Sequence, residues 1–257
     1  MQQFEGRVAV VTGASRGIGK AVAKLFAQEG ARVVVTARSE TDTPRLPGTI
    51  HQTVSEIREA GGEALAIRCD VRHEEEVNAM AQQATNAFGS VDVLVNNAAA
   101  TFPSPGIEIP IGRWDVIMDV NVRGYFLCIR AVLPEMMRRG SGAILNMTSG
   151  AGEMVAREYS QGMPSLAYGV SKAAINKMTI GFAAELESHG VSVNALMPKT
   201  PVATEGAIAF FGGEVDPSYT DAANMAQAAL YLVKQTPATR TGWVGYDEDL
   251  REQSGAW

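Results

Sequence analysis

Residues 7–19 read Arg-Val-Ala-Val-Val-Thr-Gly-Ala-Ser-Arg-Gly-Ile-Gly, and this stretch decides the fold. Its first part, Arg7–Val11, is apolar on consecutive positions and rich in valine, which is typical of a strand that is covered on both faces. Glycines then follow with the spacing Gly-x3-Gly-x-Gly, and a segment with helical spacing of apolar residues begins at Gly17. Glycines permit a tight turn and a close approach of the backbone to a pyrophosphate, which the start of a helix attracts. The stretch therefore predicts a nucleotide-binding turn between the first strand and the first helix.

The same alternation of strand and helix continues to about residue 196. The predicted strands are Arg7–Val11, Arg32–Ala37, Ala64–Cys69, Val91–Val95, Ala143–Thr148 and Val191–Leu196. The predicted helices are Gly17–Glu29, Thr53–Ala60, Glu74–Phe88, Ile111–Arg139 and Ser165–His189. This pattern favours an α/β fold with a doubly wound parallel sheet and helices on both faces. Such sheets bind ligands outside the carboxyl ends of their strands.

Length and composition limit the classes of function. The chain has 257 residues, 46% of them hydrophobic and 19% charged, with a net charge of −6, so one acidic globular domain over 1–257 is expected. This charge argues against binding to nucleic acid, and no apolar run reaches the roughly 18 residues of a membrane span. No metal site is predicted. The N-terminus has no secretory pattern, and Cys69 and Cys128 form no motif, so a cytoplasmic location is expected.

Two segments interrupt the alternation. Ser39–Thr49 is a polar insertion that contains prolines and lies between the second strand and its helix. Residues 199–218 follow the sixth strand at the ligand end of the sheet, and they are predicted to form a substrate-side lid, with a short surface helix as the alternative. Apolar side chains of the lid and of residues 153–164 are expected to border an apolar substrate. They are Met154, Val155, Met163, Phe210 and Phe211.

The end of the second strand bears on the choice of cofactor. An acidic residue there would bind a ribose 2′-hydroxyl, but the sequence has Ala37 followed by Arg38. An arginine suits a 2′-phosphate, and Arg16 in the glycine turn adds a second positive charge. The sequence thus favours NADP(H), while NAD(H) stays open.

Tyr168 and Lys172 form a candidate pair for proton transfer. They are four residues apart in a predicted helix and so share one face. A nearby ammonium stabilises a phenolate and lowers the tyrosine pKa from its usual value of about 10, so Tyr168 is a candidate general acid and base. Ser149 ends the fifth strand, where its hydroxyl can hold the same substrate oxygen.

With these motifs together, the chain resembles the short-chain dehydrogenase/reductase family over nearly its full length, and most closely its hydroxysteroid dehydrogenase-like branch. Thr12–Gly19 matches the family's TGxxxGxG, and Asn96–Ala99 matches NNAG with alanine in the last place. Asp70-Val71 matches the acidic pair that receives the adenine, and Asn121 matches the helix asparagine. Ser149 matches the family's serine, while Tyr168 and Lys172 match its YxxxK.

The resemblance implies a single Rossmann-type domain of about seven strands, a homotetramer, and hydride transfer between a nicotinamide cofactor and a carbonyl/alcohol pair. Tyr168 would be the general acid and base, and Lys172 would lower its pKa and bind the nicotinamide ribose. Ser149 would orient the reacting oxygen, and Asn121 would hold a water that links Lys172 to solvent. The remaining cofactor-binding residues implied are Gly13, Ser15, Arg16, Gly17, Ile18, Gly19, Arg38, Asp70, Val71, Asn97 and Thr200.

Two other functions remain open. A 3-oxoacyl-thioester reductase would need a basic docking patch for an acidic carrier, and one predicted helix carries Arg123, Arg130, Arg138 and Arg139. A non-catalytic NADPH sensor would need none of the proton chemistry of Tyr168. The gap from Ser149 to Tyr168 is longer than usual in the family, which leaves Ser160 and Ser165 as rival serines.

Overall fold

Seven strands form one parallel sheet in the computed structural model, which describes residues 4–44, 46–153, 166–210 and 218–255. The strands are β1 (Val8–Thr12), β2 (Arg32–Ala37), β3 (Glu63–Arg68), β4 (Val93–Asn96), β5 (Gly142–Met147), β6 (Val191–Met197) and β7 (Val244–Tyr246). Their order is β3-β2-β1-β4-β5-β6-β7, and every neighbouring pair is parallel. The strand order reverses between β1 and β4, so a cleft is expected there.

Helices cover both faces of the sheet. They are α1 (Gly17–Gln28), α2 (Ile50–Glu59), α3 (Glu74–Phe88), α4 (Ile111–Met118), α5 (Gly124–Arg139), α6 (Leu166–Leu186), α7 (Glu205–Phe210), α8 (Ala222–Val233) and α9 (Asp247–Ser254). A π-helical turn, Asp119–Arg123, joins α4 to α5, and short 3₁₀ turns lie at Gly150–Gly152 and Glu187–His189. Two buried clusters result, one under α1, α2 and α8 and the other under α3, α5 and α6.

Strand β1 illustrates why the strands are apolar throughout. Ala9 and Val11 pack into the first cluster, whereas Val10 packs into the second, and all three are fully buried. A strand between two helical layers must be apolar on consecutive positions, because both of its faces lie in a core. At about 25 cal/mol for each Å² of apolar surface, burial of both layers is the main stabilising contribution.

The α/β sheet with helices on both faces confirms the predicted fold, and each of the six predicted strands lies within two residues of an observed one. The predicted helix Ile111–Arg139 corresponds to α4, the π-helical turn and α5, which follow one another without a break. The π-helical turn at Asp119–Arg123 was not predicted, and Pro134 lies inside α5. The local sequence patterns predicted no element at strand β7, helix α8 or helix α9.

Several predictions about the substrate side concern residues that are not described. Met154, Val155, Met163 and Phe211 lie outside the described residues, as do Ser160, Ser165 and the side chain of Phe210. Among the described residues, none of the helices combines the length and apolarity that crossing a membrane requires. The same part of the chain holds no group of three His, Cys, Asp or Glu side chains placed to bind a metal ion.

Candidate functional site

A cavity of about 410 Å³ opens at the carboxyl ends of β1, β2 and β4, where the strand order reverses. It is lined by Gly13, Ser15, Arg16, Gly17, Ile18, Ala37, Arg38, Ser39, Leu46, Cys69, Asp70, Val71, Asn97, Ala98, Ala99, Val120, Tyr168, Thr204 and Gly206. Of the residues predicted to bind the cofactor, only Gly19, Lys172 and Thr200 are missing from this lining. The structure thus brings the glycine turn and Tyr168 to one cleft.

The glycine turn is packed so closely that side chains would not fit. Gly13 has a φ of +65°, and a Cβ on it would lie 2.8 Å from the Cα of Ala98. A Cβ on Gly19 would lie 2.4 Å from Nδ2 of Asn97 and 2.6 Å from the carbonyl oxygen of Gly13. The first turn of α1 has no intrahelical partners for its N–H groups. Its bare backbone therefore offers a cradle that fits the diphosphate of a dinucleotide.

Asn97 fixes the position of this turn against β4. Its Nδ2 donates to the carbonyl oxygens of Thr12 at 3.0 Å and of Gly13 at 3.1 Å. In return, the hydroxyl of Thr12 accepts from the backbone nitrogens of Asn97 at 2.9 Å and of Ala98 at 3.1 Å. Thr12 of the TGxxxGxG motif and Asn97 of the NNAA segment therefore act as one structural unit.

The insertion between β2 and α2 closes over Arg16. The guanidinium donates to the carbonyl oxygens of Leu46 at 3.3 Å, Pro47 at 2.8 Å and Gly48 at 2.6 Å. Burial lowers the pKa of Arg16, and the nearby carboxylates of Glu205 and Asp42 oppose this effect. Arg16 thus ties the insertion to the rim of the cleft, a role that the sequence did not reveal.

A cluster of two arginines and one carboxylate lies at the ends of β2 and β3. Asp70 is nearly fully buried, and Arg72 donates to it from Nη2 at 2.6 Å, from Nε at 3.0 Å and 3.1 Å, and from its backbone nitrogen. Burial raises the pKa of Asp70, but the bonds and charge of Arg72 outweigh burial and hold the pKa below its usual value. Nη1 of Arg38 is 3.8 Å from Asp70, and the Arg38 side chain is 59% exposed. Arg38 is therefore the more accessible cation of the cluster.

Lys172 is almost completely buried beside two tyrosine rings. Its Nζ donates to the carbonyl oxygen of Met147 at 2.8 Å and lies 5.3 Å from the ring centroid of Tyr168 and 5.5 Å from that of Tyr125. Burial lowers the pKa of Lys172 from 10.5 to about 7. The hydroxyl of Tyr125 donates to the same carbonyl at 3.2 Å. Tyr125 is a component of the site that sequence reasoning missed, although it is one helical turn from Asn121.

Asn121 lies in the π-helical turn and connects the segment after β4 to α6. Its side chain accepts from the backbone nitrogen of Ala100 at 2.7 Å and donates to the Ala100 carbonyl at 3.0 Å. It also donates to the hydroxyl of Ser171 at 2.9 Å, and this hydroxyl donates to the Tyr168 carbonyl at 2.7 Å. Asn121 therefore positions the helix that carries Tyr168 and Lys172.

Ser149 is the N-cap of the 3₁₀ turn Gly150–Gly152 after β5, and this turn packs on α6. Its hydroxyl accepts from the backbone nitrogen of Ala151 at 3.3 Å. A Cβ on Gly152 would lie 2.6 Å from the carbonyl carbon of Lys172, and one on Gly169 would lie 2.8 Å from the Ala151 carbonyl oxygen. The absence of side chains at these two glycines brings the Ser149 turn against the helix of Tyr168.

Thr200 faces a different part of the molecule. Its hydroxyl donates to Glu248 of α9 at 3.3 Å, and it lines a second cavity next to α9. The cofactor cleft instead receives Thr204 and Gly206, which the sequence did not single out.

Comparisons with known proteins agree with this geometry. The sequence model of the family described as short chain dehydrogenase matches residues 7–210. The chain is 35% identical to hydroxysteroid dehydrogenase-like protein 2 of Danio rerio, with 99% of this chain and 61% of that protein covered. It spans about three fifths of the length of the curated relatives it matches.

Solved structures are also similar. A protein from Xanthomonas campestris, described as a dehydrogenase, is 34% identical with a TM-score of 0.89, and the match covers 98% of this chain and 91% of that one. A protein from Beutenbergia cavernae, described as an NAD(P) dependent gluconate 5-dehydrogenase with bound NADP at low occupancy, is 29% identical with a TM-score of 0.80, over 96% of each chain. With its glycine turn, parallel sheet and Tyr168–Lys172 helix, the chain belongs to the short-chain dehydrogenase/reductase family.

Proposed function

We propose that this protein is an NADP(H)-dependent oxidoreductase that interconverts an apolar ketone or aldehyde and its alcohol, with Tyr168 as the general acid and base. One observation carries the proposal. The Nζ atom of buried Lys172 lies 5.3 Å from the ring centroid of Tyr168, a residue that lines the cleft beside the glycine turn. A phenol exchanges protons near neutral pH only when a neighbouring charge stabilises its anion.

The residues of the cleft fit a nicotinamide dinucleotide. The side-chain-free cradle of Gly13 and Gly19 suits its diphosphate, and the ends of β2 and β3 suit its adenosine half. The nicotinamide ring, when bound, supplies or accepts the hydride. The protein's own part is to position the reactants, exclude water and move the proton.

Tyr168 donates its proton to a carbonyl oxygen during reduction and takes one from a hydroxyl during oxidation. Lys172 stabilises the phenolate, and its position is set by the Met147 carbonyl at the end of β5. Ser149 holds the reacting oxygen at the end of the same strand. Asn121 keeps the Tyr168 helix and the Ala100 segment in register, through the bonds to Ser171 and Ala100.

The arginine-rich end of the cleft supports a preference for NADP(H). Arg38 lines the cleft next to Ser39, and its side chain has solvent-accessible donors that suit a 2′-phosphate. Arg16 in the glycine turn also lines the cleft and adds a second positive charge. Asp70 is engaged by Arg72, which limits its role as a partner for a ribose hydroxyl.

Arg38→Ala is expected to raise the KM for NADPH about tenfold and to leave the KM for NADH nearly unchanged, because one charge-assisted bond, partly screened by solvent, is lost. Steady-state kinetics with both cofactors measures this difference. Arg138→Ala is the matched control, since that surface arginine pairs with Glu135 in the same helix and does not line the cleft. Equal changes for NADPH and NADH would remove Arg38 from this role.

Exposed apolar side chains near Tyr168 support an apolar substrate. Ile107 is 97% exposed and Leu166 is 58% exposed. Gly106 brings the two segments together, because a Cβ on it would lie 2.4 Å from Cδ2 of Leu166. Leu166 is two residues before Tyr168 in α6, and Ile107 follows Gly106, so we infer that both border the approach to the phenol.

The proposed function is tested by a substrate panel in which oxidation of NADPH and NADH is followed with acyclic, terpenoid and steroid ketones and aldehydes. We expect turnover with apolar carbonyls and faster turnover with NADPH. Tight NADPH binding without turnover of any compound would instead support the sensor function.

The alternative of a 3-oxoacyl-thioester reductase is weakened by the arginines of the Asp119–Arg139 region. Arg138 pairs with Glu135 at 2.7 Å, and Arg139 pairs with Asp92. Arg130 lies 3.8 Å from Glu74, and Arg123 donates to the carbonyl of Arg72. The positive charges are thus largely compensated within the chain, which argues against a docking surface for an acidic carrier.

The outer surfaces of α5 and α6 support a homotetramer. Phe126 is 40% exposed and its ring stacks on that of Phe182, with centroids 6.1 Å apart. Ile180 and Val170 are 48% and 38% exposed on the neighbouring helix. Apolar side chains grouped on helices in this way favour association of subunits.

Phe126→Glu is expected to convert a tetramer of 27.3 kDa chains into smaller species, because it places a charge on this apolar surface. Light scattering coupled to gel filtration measures the mass. Phe126→Leu, the apolar control, should keep the tetramer. A wild-type protein that is monomeric at micromolar concentration would contradict the assembly.

A further inference from the structure

A carboxylate of the protein itself occupies the start of α1. Oε2 of Glu205 accepts a hydrogen bond of 2.8 Å from the backbone nitrogen of Gly17, the first residue of that helix. Glu205 is the first residue of α7 and is 188 positions away in the sequence. The contact therefore depends on the path of the chain after β6, which carries Glu205 back across the sheet to the glycine turn.

Two further observations place this part of the chain in the cofactor cleft. The side chain of Thr204 lies 3.2 Å from the position of a Cβ on Gly17, and Thr204 and Gly206 both line the cleft. The charge of Glu205 also acts on Arg16, whose pKa it raises against the effect of burial. Glu205 thus lies beside the cleft and is bonded to one of the backbone N–H groups that bind the phosphates in the proposed function.

A carboxylate and a phosphate compete for the same type of site. Both are oxygen anions that accept from free N–H groups at the positive end of a helix. A dinucleotide diphosphate cannot bind the Gly17 nitrogen while Glu205 holds it, since the oxygen atoms would overlap and like charges would meet. The cofactor must therefore break a charge-assisted hydrogen bond before it binds there.

We propose that Glu205 is an internal competitor of the cofactor diphosphate and thereby determines how tightly the protein binds its dinucleotide. The inference rests on the proposed function, because it requires a dinucleotide in the cleft. Release of Glu205 breaks the hydrogen bond that joins α7 to α1, so occupancy of the cleft is coupled to the contact between these two helices. The competition concerns the diphosphate, which NADPH and NADH share, and is distinct from recognition of the 2′-phosphate by Arg38.

The test measures dissociation constants of NADPH and NADH for wild-type protein, Glu205→Gln and Glu205→Ala, by titration calorimetry or nicotinamide fluorescence. Both variants are expected to bind each dinucleotide at least about fivefold more tightly, because the competing charge-assisted bond is weakened or removed. Glu187→Gln is the matched control. It makes the same change in net charge at an exposed position at the opposite end of the sheet, and its affinities should equal those of wild type.

The outcomes separate this inference from the function on which it rests. If wild-type protein binds neither dinucleotide, the proposed function fails. If wild-type protein binds and both Glu205 variants bind equally well or more weakly, the competition is refuted. Thermal unfolding checks that each variant is folded. A glutamine at position 205 can still accept from the Gly17 nitrogen. If it does, the result for Glu205→Ala decides, because alanine removes the acceptor.

Discussion

Replacing Tyr168 by phenylalanine is expected to lower kcat by about 10²–10⁴-fold and to leave the dissociation constant for NADPH nearly unchanged. The substitution removes one hydroxyl and keeps the ring beside Lys172. Without the hydroxyl, no group at this position can protonate the developing alkoxide or accept the proton of an alcohol. Steady-state kinetics with a substrate from the carbonyl panel measures kcat, and cofactor fluorescence measures NADPH binding.

Tyr231→Phe is the matched control for this variant, because it removes a phenol hydroxyl from α8, outside the lining of the cleft. Its kcat should be that of wild type. A Tyr168→Phe protein with near-normal turnover would exclude Tyr168 as the general acid. Loss of both turnover and NADPH binding would contradict the prediction, because a role confined to the hydroxyl leaves NADPH binding unchanged.

Local patterns were sufficient to predict most of the sheet. Valine-rich runs such as Arg32–Ala37 are buried on both faces. Because this environment permits few residue types, the sequence of each run identifies it as a strand inside the sheet. The short strand Val244–Tyr246 has three partly buried residues, so it lacks this apolar pattern and could not be identified. Helix Ala222–Val233 begins after Asp221, whose side chain accepts from the Ala223 nitrogen, a capping signal that could have been found.

The site was predictable where function depends on residue type and short spacing. The glycine turn and the Tyr168–Lys172 pair belong to this class, because each motif consists of residues that are close together in the sequence. Contacts between distant segments were not predictable. The hydrogen bond from Arg16 to the Gly48 carbonyl joins residues that are 32 positions apart. The bond from the Gly17 nitrogen to Glu205 joins residues that are 188 positions apart. Such bonds depend on how loops pass over the sheet, and neither partner has a distinctive local pattern.

Lys172→Met is the second variant expected to have a large effect on catalysis. It keeps a long apolar side chain in the buried site and removes the charged group that, in the proposed function, stabilises the Tyr168 phenolate. We expect kcat to fall by at least about 10²-fold, within the range that general acid–base catalysis supplies. The bond to the Met147 carbonyl is also lost. Kinetics at several pH values measures the change, and a variant with wild-type kcat at neutral pH would contradict the role of the ammonium.

The same variant is expected to alter how stability depends on pH. Burial lowers the pKa of Lys172 to about 7 in the folded chain, whereas an exposed lysine has its usual value of 10.5. Between these values the unfolded chain binds one more proton than the folded one. The Lys172 contribution to the free energy of unfolding therefore rises with pH, by up to about 1.4 kcal/mol for each pH unit.

Lys172→Met removes this dependence, so its free energy of unfolding relative to wild type should be highest at pH 7 and should fall as the pH approaches 10. Urea unfolding at pH 7, 8, 9 and 10 measures the difference. Lys177→Met changes an exposed lysine of the same helix and should follow wild type at every pH. Parallel plots of the free energy of unfolding against pH for Lys172→Met and wild type would contradict this prediction. They would mean that Lys172 keeps its proton in the folded chain over this pH range, because the difference between the two proteins changes with pH only if Lys172 loses a proton on folding.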